Sequence, residues 1–253
     1  MLNVLSQGSP TGKPPLLIVH GLFGSARNWG VIQKRLSDGR EVLAVDQRNH
    51  GDSPQLDSQS YFDMAGDIAQ VIEAHGGKMD VLGHSMGGKA VMVLALTRPE
   101  LINRLIVADI APVGYAHSQN SLVRAMKGLD LEGLTLRSEA NRRLSETVAS
   151  EPVRAFLLQS LDLKSEPAQW KLNLDVLERE MDKIVGFPDV TGSFNGETLF
   201  VYGGASDYVR PEFQPRIDAL FPQNSMVRLE GVGHWLHAEK PREFEDIIRE
   251  FLD

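Results

Sequence analysis

Lys78-Met79-Asp80-Val81-Leu82-Gly83-His84-Ser85-Met86-Gly87-Gly88-Lys89-Ala90-Val91 reads as strand, sharp turn and helix. Val81 and Leu82 close a short apolar run, and Lys89 to Leu96 is a helix former. Between them, Gly83-His84-Ser85-Met86-Gly87 fits the pattern G-x-S-x-G. The physical content of that pattern is a strained turn that lifts a serine hydroxyl above the end of a sheet. Small residues two before and two after the serine let strand and helix approach closely. The helix starts just beyond Ser85, so its free N–H groups and positive dipole end lie beside any oxyanion forming there.

On either side of this turn, apolar runs alternate with helical patterns. Leu2 to Leu5 is a short first strand, and Leu16-Leu17-Ile18-Val19 is a continuous apolar run, as expected of a strand buried on both faces. It ends in the loop His20-Gly21-Leu22-Phe23-Gly24-Ser25. Asn28 to Leu36 reads as helix and Glu41 to Val45 as strand, running into Asp46 and Arg48-Asn49-His50-Gly51. Tyr61 to Ala74 carries Met64, Ile68, Val71 and Ile72 at helical spacing and stops at Gly76-Gly77. Beyond Ser85 a helix runs to Thr97, and Leu105 to Ala108 is another buried strand, ending in Asp109. This alternation predicts an α/β fold: a mostly parallel central sheet with helices on both faces.

The rhythm breaks from about Pro112 to Pro188, where helix-like segments occur (Ser121–Leu129, Ser138–Val148, Pro152–Leu161, Leu172–Ile184) but no convincing strand. The pattern resumes with a strand at Thr198–Tyr202, a helix at Pro211–Leu220, a strand at Met226–Leu229 and a closing helix at Pro241–Leu252. Residues 1–111 and 189–253 are therefore expected to form the core, with 112–188 a helical cap within the same domain.

With 253 residues, 42% hydrophobic and 24% charged, the chain has an ordinary globular composition and length enough for an ample core. It has no cysteine, which excludes disulfides, a thiolate nucleophile and Cys-ligated metal. A formal charge of -8 argues against nucleic acid or an anionic membrane as partner. No apolar run approaches the roughly 18 residues that span a bilayer. Met1 to Pro15 lacks the apolar stretch of a leader, so a cytoplasmic location is expected. The histidines and carboxylates show no metal-ligand spacing, and no G-x-G-x-x-G occurs; neither metal nor cofactor is expected.

A serine hydroxyl is a poor nucleophile until a base removes its proton, and the base needs a third group to orient it. The best base is His234, behind a Gly-x-Gly turn after the last strand; His237, three residues on, should face elsewhere. Two acids compete. Asp207 lies in the loop after the Thr198–Tyr202 strand, and Asp109 ends a buried strand, where a charge is costly unless paired. The oxyanion donors should be the backbone N–H groups of Met86 and Leu22. Phe23, Trp235, Leu157, Leu158 and Leu161 are candidates for an acyl pocket. His20, His50 and His84 read as loop-orienting residues and Lys89 as a surface lysine.

These residue sets together resemble the alpha/beta-hydrolase superfamily over nearly the whole chain. The matches are His20-Gly21, Asp46-x-Arg48-x-His50-Gly51-x-Ser53, Gly83-His84-Ser85-Met86-Gly87-Gly88 and Gly233-His234. Arg48-Asn49-His50-Gly51, Lys89 after the serine motif, Ala108-Asp109-Ile110-Ala111-Pro112 and Gly233-His234-Trp235-Leu236-His237 are similar to a narrower group. That group is the small bacterial esterases related to the mitochondrial alpha/beta-hydrolase domain-containing protein 11. The resemblance implies a core sheet with a helical cap, no cofactor, and esterase activity on a small-molecule acyl ester. It also favours Asp109 as the acid, since relatives keep a carboxylate there and lack one matching Asp207; by having Asp207, this sequence departs from them.

The expected function is a serine carboxylesterase with Ser85 as nucleophile. Two rival readings exist. The same nucleophile loop serves C–C bond hydrolases, perhydrolases and menaquinone-precursor synthases, whereas epoxide and haloalkane hydrolases need an Asp in place of Ser85. A non-catalytic binding module on this fold would have lost a member of the Ser, His and Asp set, and candidates for all three are present.

Overall fold

The computed structural model describes all 253 residues. Its centre is a seven-stranded sheet of β1 (Val4–Gln7), β2 (Leu16–Val19), β3 (Val42–Val45), β4 (Met79–His84), β5 (Ile102–Ala108), β8 (Thr198–Gly203) and β9 (Asn224–Leu229). The spatial order is β1-β3-β2-β4-β5-β8-β9; β1 runs antiparallel to β3 and every other pairing is parallel. A mostly parallel sheet with helices on both faces is thus the architecture. The first strand lies two residues later than its sequence pattern suggests.

Strand side chains alternate between faces, and the core divides accordingly. Leu17, Val19, Val81, Leu105 and Val107 join one apolar cluster with α2 (Tyr61–Ala74) and α3 (Met86–Thr97). Leu16, Ile18, Leu82, Ile106 and Ala108 join the other, with α1 (Gly30–Leu36) and the closing helix, α11 (Pro241–Leu252). Because both faces are covered, these strands read as unbroken apolar runs.

Between β5 and β8 the chain forms α4 (Asn120–Lys127), α5 (Arg137–Leu144), α6 (Glu151–Leu157), α7 (Leu174–Arg179) and α8 (Met181–Val185). Contrary to the all-helical expectation, a small antiparallel pair, β6 (Leu161–Asp162) with β7 (Gln169–Trp170), interrupts them. Two residues per strand leave too little alternation to detect in sequence. The expected Leu172–Ile184 helix is two helices, α7 and α8, meeting at Glu180. Past β8 come α9 (Gln214–Leu220) and, just after His234, the short α10 (Leu236–Glu239). No helix is long and apolar enough to cross a membrane.

One buried ion pair ties the sheet's lower edge together. Asp80 on β4 accepts from Arg40 over 2.6 Å and from the Asn103 amide over 2.7 Å. Arg40 also donates to the Leu252 carbonyl over 3.0 Å, pinning α11. Both ionic side chains are buried, and without Asp80 the Arg40 guanidinium keeps as counter-charge only a long 3.8 Å approach to the exposed Asp253 carboxylate. Asp80→Ala is expected to cost about 3–5 kcal/mol, read as a lowered urea midpoint.

Candidate active site

The turn after β4 is forced into a conformation that few residues tolerate. Ser85 has φ 53° and ψ -120°, and it caps α3, whose first residue is Met86. The neighbouring glycines permit this. A Cβ on Gly83 would lie 2.5 Å from the Gly87 carbonyl oxygen, and one on Gly87 would lie 2.4 Å from the Val19 and His20 carbonyl oxygens. Neither position has space for a side chain, which is the physical basis of the G-x-S-x-G pattern here.

Three side chains from distant parts of the chain converge on this turn. The Ser85 hydroxyl lies 2.9 Å from His234 Nε2, and His234 Nδ1 lies 2.6 Å from Asp109 Oδ2. The carboxylate accepts only, so Nδ1 carries the ring proton and donates it to Asp109, leaving Nε2 as acceptor for the serine. Asp109 is wholly buried at φ 50° and is held on both oxygens. Oδ1 accepts from the Gly203 N–H over 2.9 Å, and Oδ2 also accepts from the Ser206 hydroxyl over 2.5 Å. The His234 ring stacks on Tyr208, centroids 4.1 Å apart, and its carbonyl accepts from His84 Nε2 over 2.8 Å.

Asp207 is not brought to this cluster. It is exposed, its carbonyl accepts from Arg210, and its carboxylate makes no contact with His234; the neighbouring Ser206 turns inward instead. His237 also faces elsewhere, stacked on Trp29 with centroids 4.0 Å apart. Burial, then nearby His234, pushes its pKa down to about 3.

The His20–Ser25 loop reaches Ser85 from the side: a Cβ on Gly21 would stand 3.1 Å from the Ser85 Cβ. Two neutral histidines shape it. His20 donates from Nδ1 to the Gly21 carbonyl and accepts the Gln47 N–H at Nε2, while His50 Nε2 accepts the Phe23 N–H. Burial lowers the pKa of both, that of His50 to about 3, which keeps each ring able to accept at neutral pH. The Leu22 N–H has no acceptor within the chain. Met86 opens α3, where the first N–H groups lack intrahelical partners.

Ser85 and His234 open onto a cavity of about 280 Å³, lined mainly by apolar groups. Leu22, Phe23, Met86, Trp235 and Leu157 are in its wall. Leu158 and Leu161 are not: both are buried in the core, a correction to the expected lining, because the helical turn through Leu157 points only one of its leucines at the cavity and Leu161 has passed into β6, paired with Trp170. Sequence reading missed Ser206, Tyr208, Tyr115 and Trp29. Nothing in their local patterns marks them, since each acquires its place through a contact distant in the chain.

Lys89 departs most from expectation. It is not a surface lysine but only 1% exposed, and burial holds its ammonium down at about 7 against 10.5 for free lysine. Between about pH 7 and 10.5 the unfolded chain therefore binds more protons at this group, so its contribution to stability rises with pH over that window. Urea unfolding across that range will show wild type gaining stability with pH relative to Lys89→Met.

No three His, Asp or Glu side chains are grouped to hold a metal ion. The alpha/beta hydrolase fold model matches residues 14–241. The chain is 40% identical over 248 residues to the Mus musculus protein named sn-1-specific diacylglycerol lipase ABHD11, covering 94% of this chain and 81% of that one. To Esterase YbfF of Escherichia coli (strain K12) it is 34% identical over 256 residues, covering 100% and 99%. A solved marine microorganism esterase superposes with a TM-score of 0.94 at 36% identity, covering 99% of both chains. Fold, G-x-S-x-G turn and full-length similarity agree, and this chain belongs to the alpha/beta hydrolase family, as a hydrolase of the esterase and lipase type.

Proposed function

We propose that this protein is a serine carboxylesterase that hydrolyses short- to medium-chain acyl esters through an acyl-enzyme on Ser85. The observation that carries this reading is the unbroken hydrogen-bonded line from Ser85 through His234 to Asp109, opening onto an apolar cavity. As the serine oxygen attacks the acyl carbonyl, His234 Nε2 takes its proton, and the imidazolium so formed is stabilised by the Asp109 carboxylate. The developing oxyanion is received by the Leu22 N–H from the His20–Ser25 loop and the Met86 N–H at the positive end of α3. His234 then protonates the departing alkoxide, and water attacks the acyl-enzyme with His234 again as base. In this reading Asp109 is the acid, and Ser206 and the Gly203 N–H hold its carboxylate still.

The 112–188 segment acts as the cap: Leu122, Val153, Phe156 and Ile184 from it line the cavity. Its volume, at the low end for ligand pockets, suits an acyl chain of a few carbons better than a long one. A fluorophosphonate will add its phosphonyl group to Ser85, identified by peptide mass. Hydrolysis of p-nitrophenyl esters and matching thioesters against acyl length will define the preferred substrate; a diacylglycerol, the substrate in the mouse relative's name, belongs in the same panel. A protein that neither takes the label nor turns over any ester would sink the reading.

A further inference from the structure

Lys89 takes no part in the proton path, yet it is buried on α3 one helical turn beyond the nucleophile, its N–H bonded to the Ser85 carbonyl over 3.0 Å. Its Nζ donates to two successive carbonyls, Val185 over 2.9 Å and Gly186 over 2.6 Å. The carbonyl just before them, Ile184, accepts from the Tyr61 hydroxyl on α2 over 2.5 Å. Val185 also accepts from the Tyr115 N–H over 3.0 Å, and the ammonium lies 4.6 Å from the centre of the Tyr115 ring.

Those three carbonyls are at the C-terminal end of α8, where a helix leaves its last acceptors without intrahelical partners. Side chains from two core helices answer them, at the point where the chain leaves 112–188 to return to the sheet. Ile184 and Val185 are also part of the cavity wall. The element that ends in the wall is therefore fastened to the helix that begins at the nucleophile. A buried amine suits this task whether protonated or not, because either form keeps at least two N–H donors for the two carbonyls. An apolar side chain of the same length fills the space but leaves the Gly186 carbonyl unanswered and the Val185 carbonyl with the Tyr115 N–H alone.

We propose that Lys89, assisted by Tyr61, locks the end of α8 onto the nucleophile helix and so fixes the Ile184–Val185 wall that limits the acyl group. Lys89 is then a specificity-determining positioning residue for the esterase activity proposed above, on which the substrate half of this inference rests.

Two readouts on Lys89→Met test it. Hydrogen exchange of the α8-end amides, Ile184 and Gly186, which donate to Glu180 and Asp182, is expected to quicken about tenfold. The ratio of kcat/KM for p-nitrophenyl octanoate over acetate is expected to rise by a similar factor, carried more by KM than by kcat. Tyr61→Phe, which removes only the Ile184 bond, should move both readouts in the same direction by less. Unchanged exchange in folded Lys89→Met overturns the lock; faster exchange with an unchanged chain-length ratio overturns its role in specificity. If Lys89→Met does not fold, Tyr61→Phe decides by the same two criteria. Exchange needs no turnover, so failure of the esterase reading, seen as wild-type activity in Ser85→Ala, is separable from failure of the lock.

Discussion

Ser85→Ala will lower kcat for p-nitrophenyl butyrate by about 10⁴- to 10⁶-fold while leaving the protein folded. The expected loss is large because the hydroxyl is the bond-forming atom, and His234, without a proton to take, contributes nothing by itself. Residual turnover above the uncatalysed rate would come from the cavity and the Leu22 and Met86 N–H donors acting on bound ester and water. Alanine has the same Cβ as serine, so it inherits the positive φ of the turn without adding to its strain. An unchanged thermal melt with matched circular dichroism would establish that the variant is folded. Near-wild-type turnover in that folded variant would end the acyl-enzyme mechanism.

The second large effect separates the two aspartates. Asp109→Asn is expected to cost about 10⁴-fold in kcat. The amide oxygen would face the Gly203 N–H, which now donates to Oδ1. That orientation turns the NH2 toward His234 Nδ1 and makes Nδ1 an acceptor. The ring proton then moves to Nε2, where it blocks acceptance of the Ser85 hydrogen, so the geometry survives and the chemistry fails. Asp207→Asn changes an exposed side chain with no bond to the imidazole, and its activity should stay within about twofold of wild type. The reverse ranking would transfer the acid role to Asp207.

The fold was readable from the sequence because its cause is local. Strands buried on both faces must be continuously apolar, as Leu16–Val19 and Leu105–Ala108 are, and helices such as Tyr61–Ala74 show their own period. The turn at Ser85 was equally legible, since only glycine at positions 83 and 87 allows the strand, the helix and the carbonyls of Val19 and His20 to meet. That the His234 ring would reach Ser85 could be read from its place after the last strand. Less local features were harder. The β6–β7 pair is too short to leave a period, and the break at Glu180 interrupts an apolar spacing that continues through it.

Which carboxylate faces the imidazole was decided only by tertiary structure. Asp109 and Asp207 both follow strands, and chain order suits either. The difference is the positive φ at Asp109, which aims its carboxylate across the top of β8 toward the Gly203 N–H, while Ser206 rather than Asp207 turns inward. The same holds for Lys89. Its position on α3 is set by sequence, but its burial depends on the end of α8 arriving from nearly a hundred residues away with two carbonyls to receive it. A residue's type and local period follow from its neighbours in the chain; its partner follows from what the completed core brings within 3 Å of it.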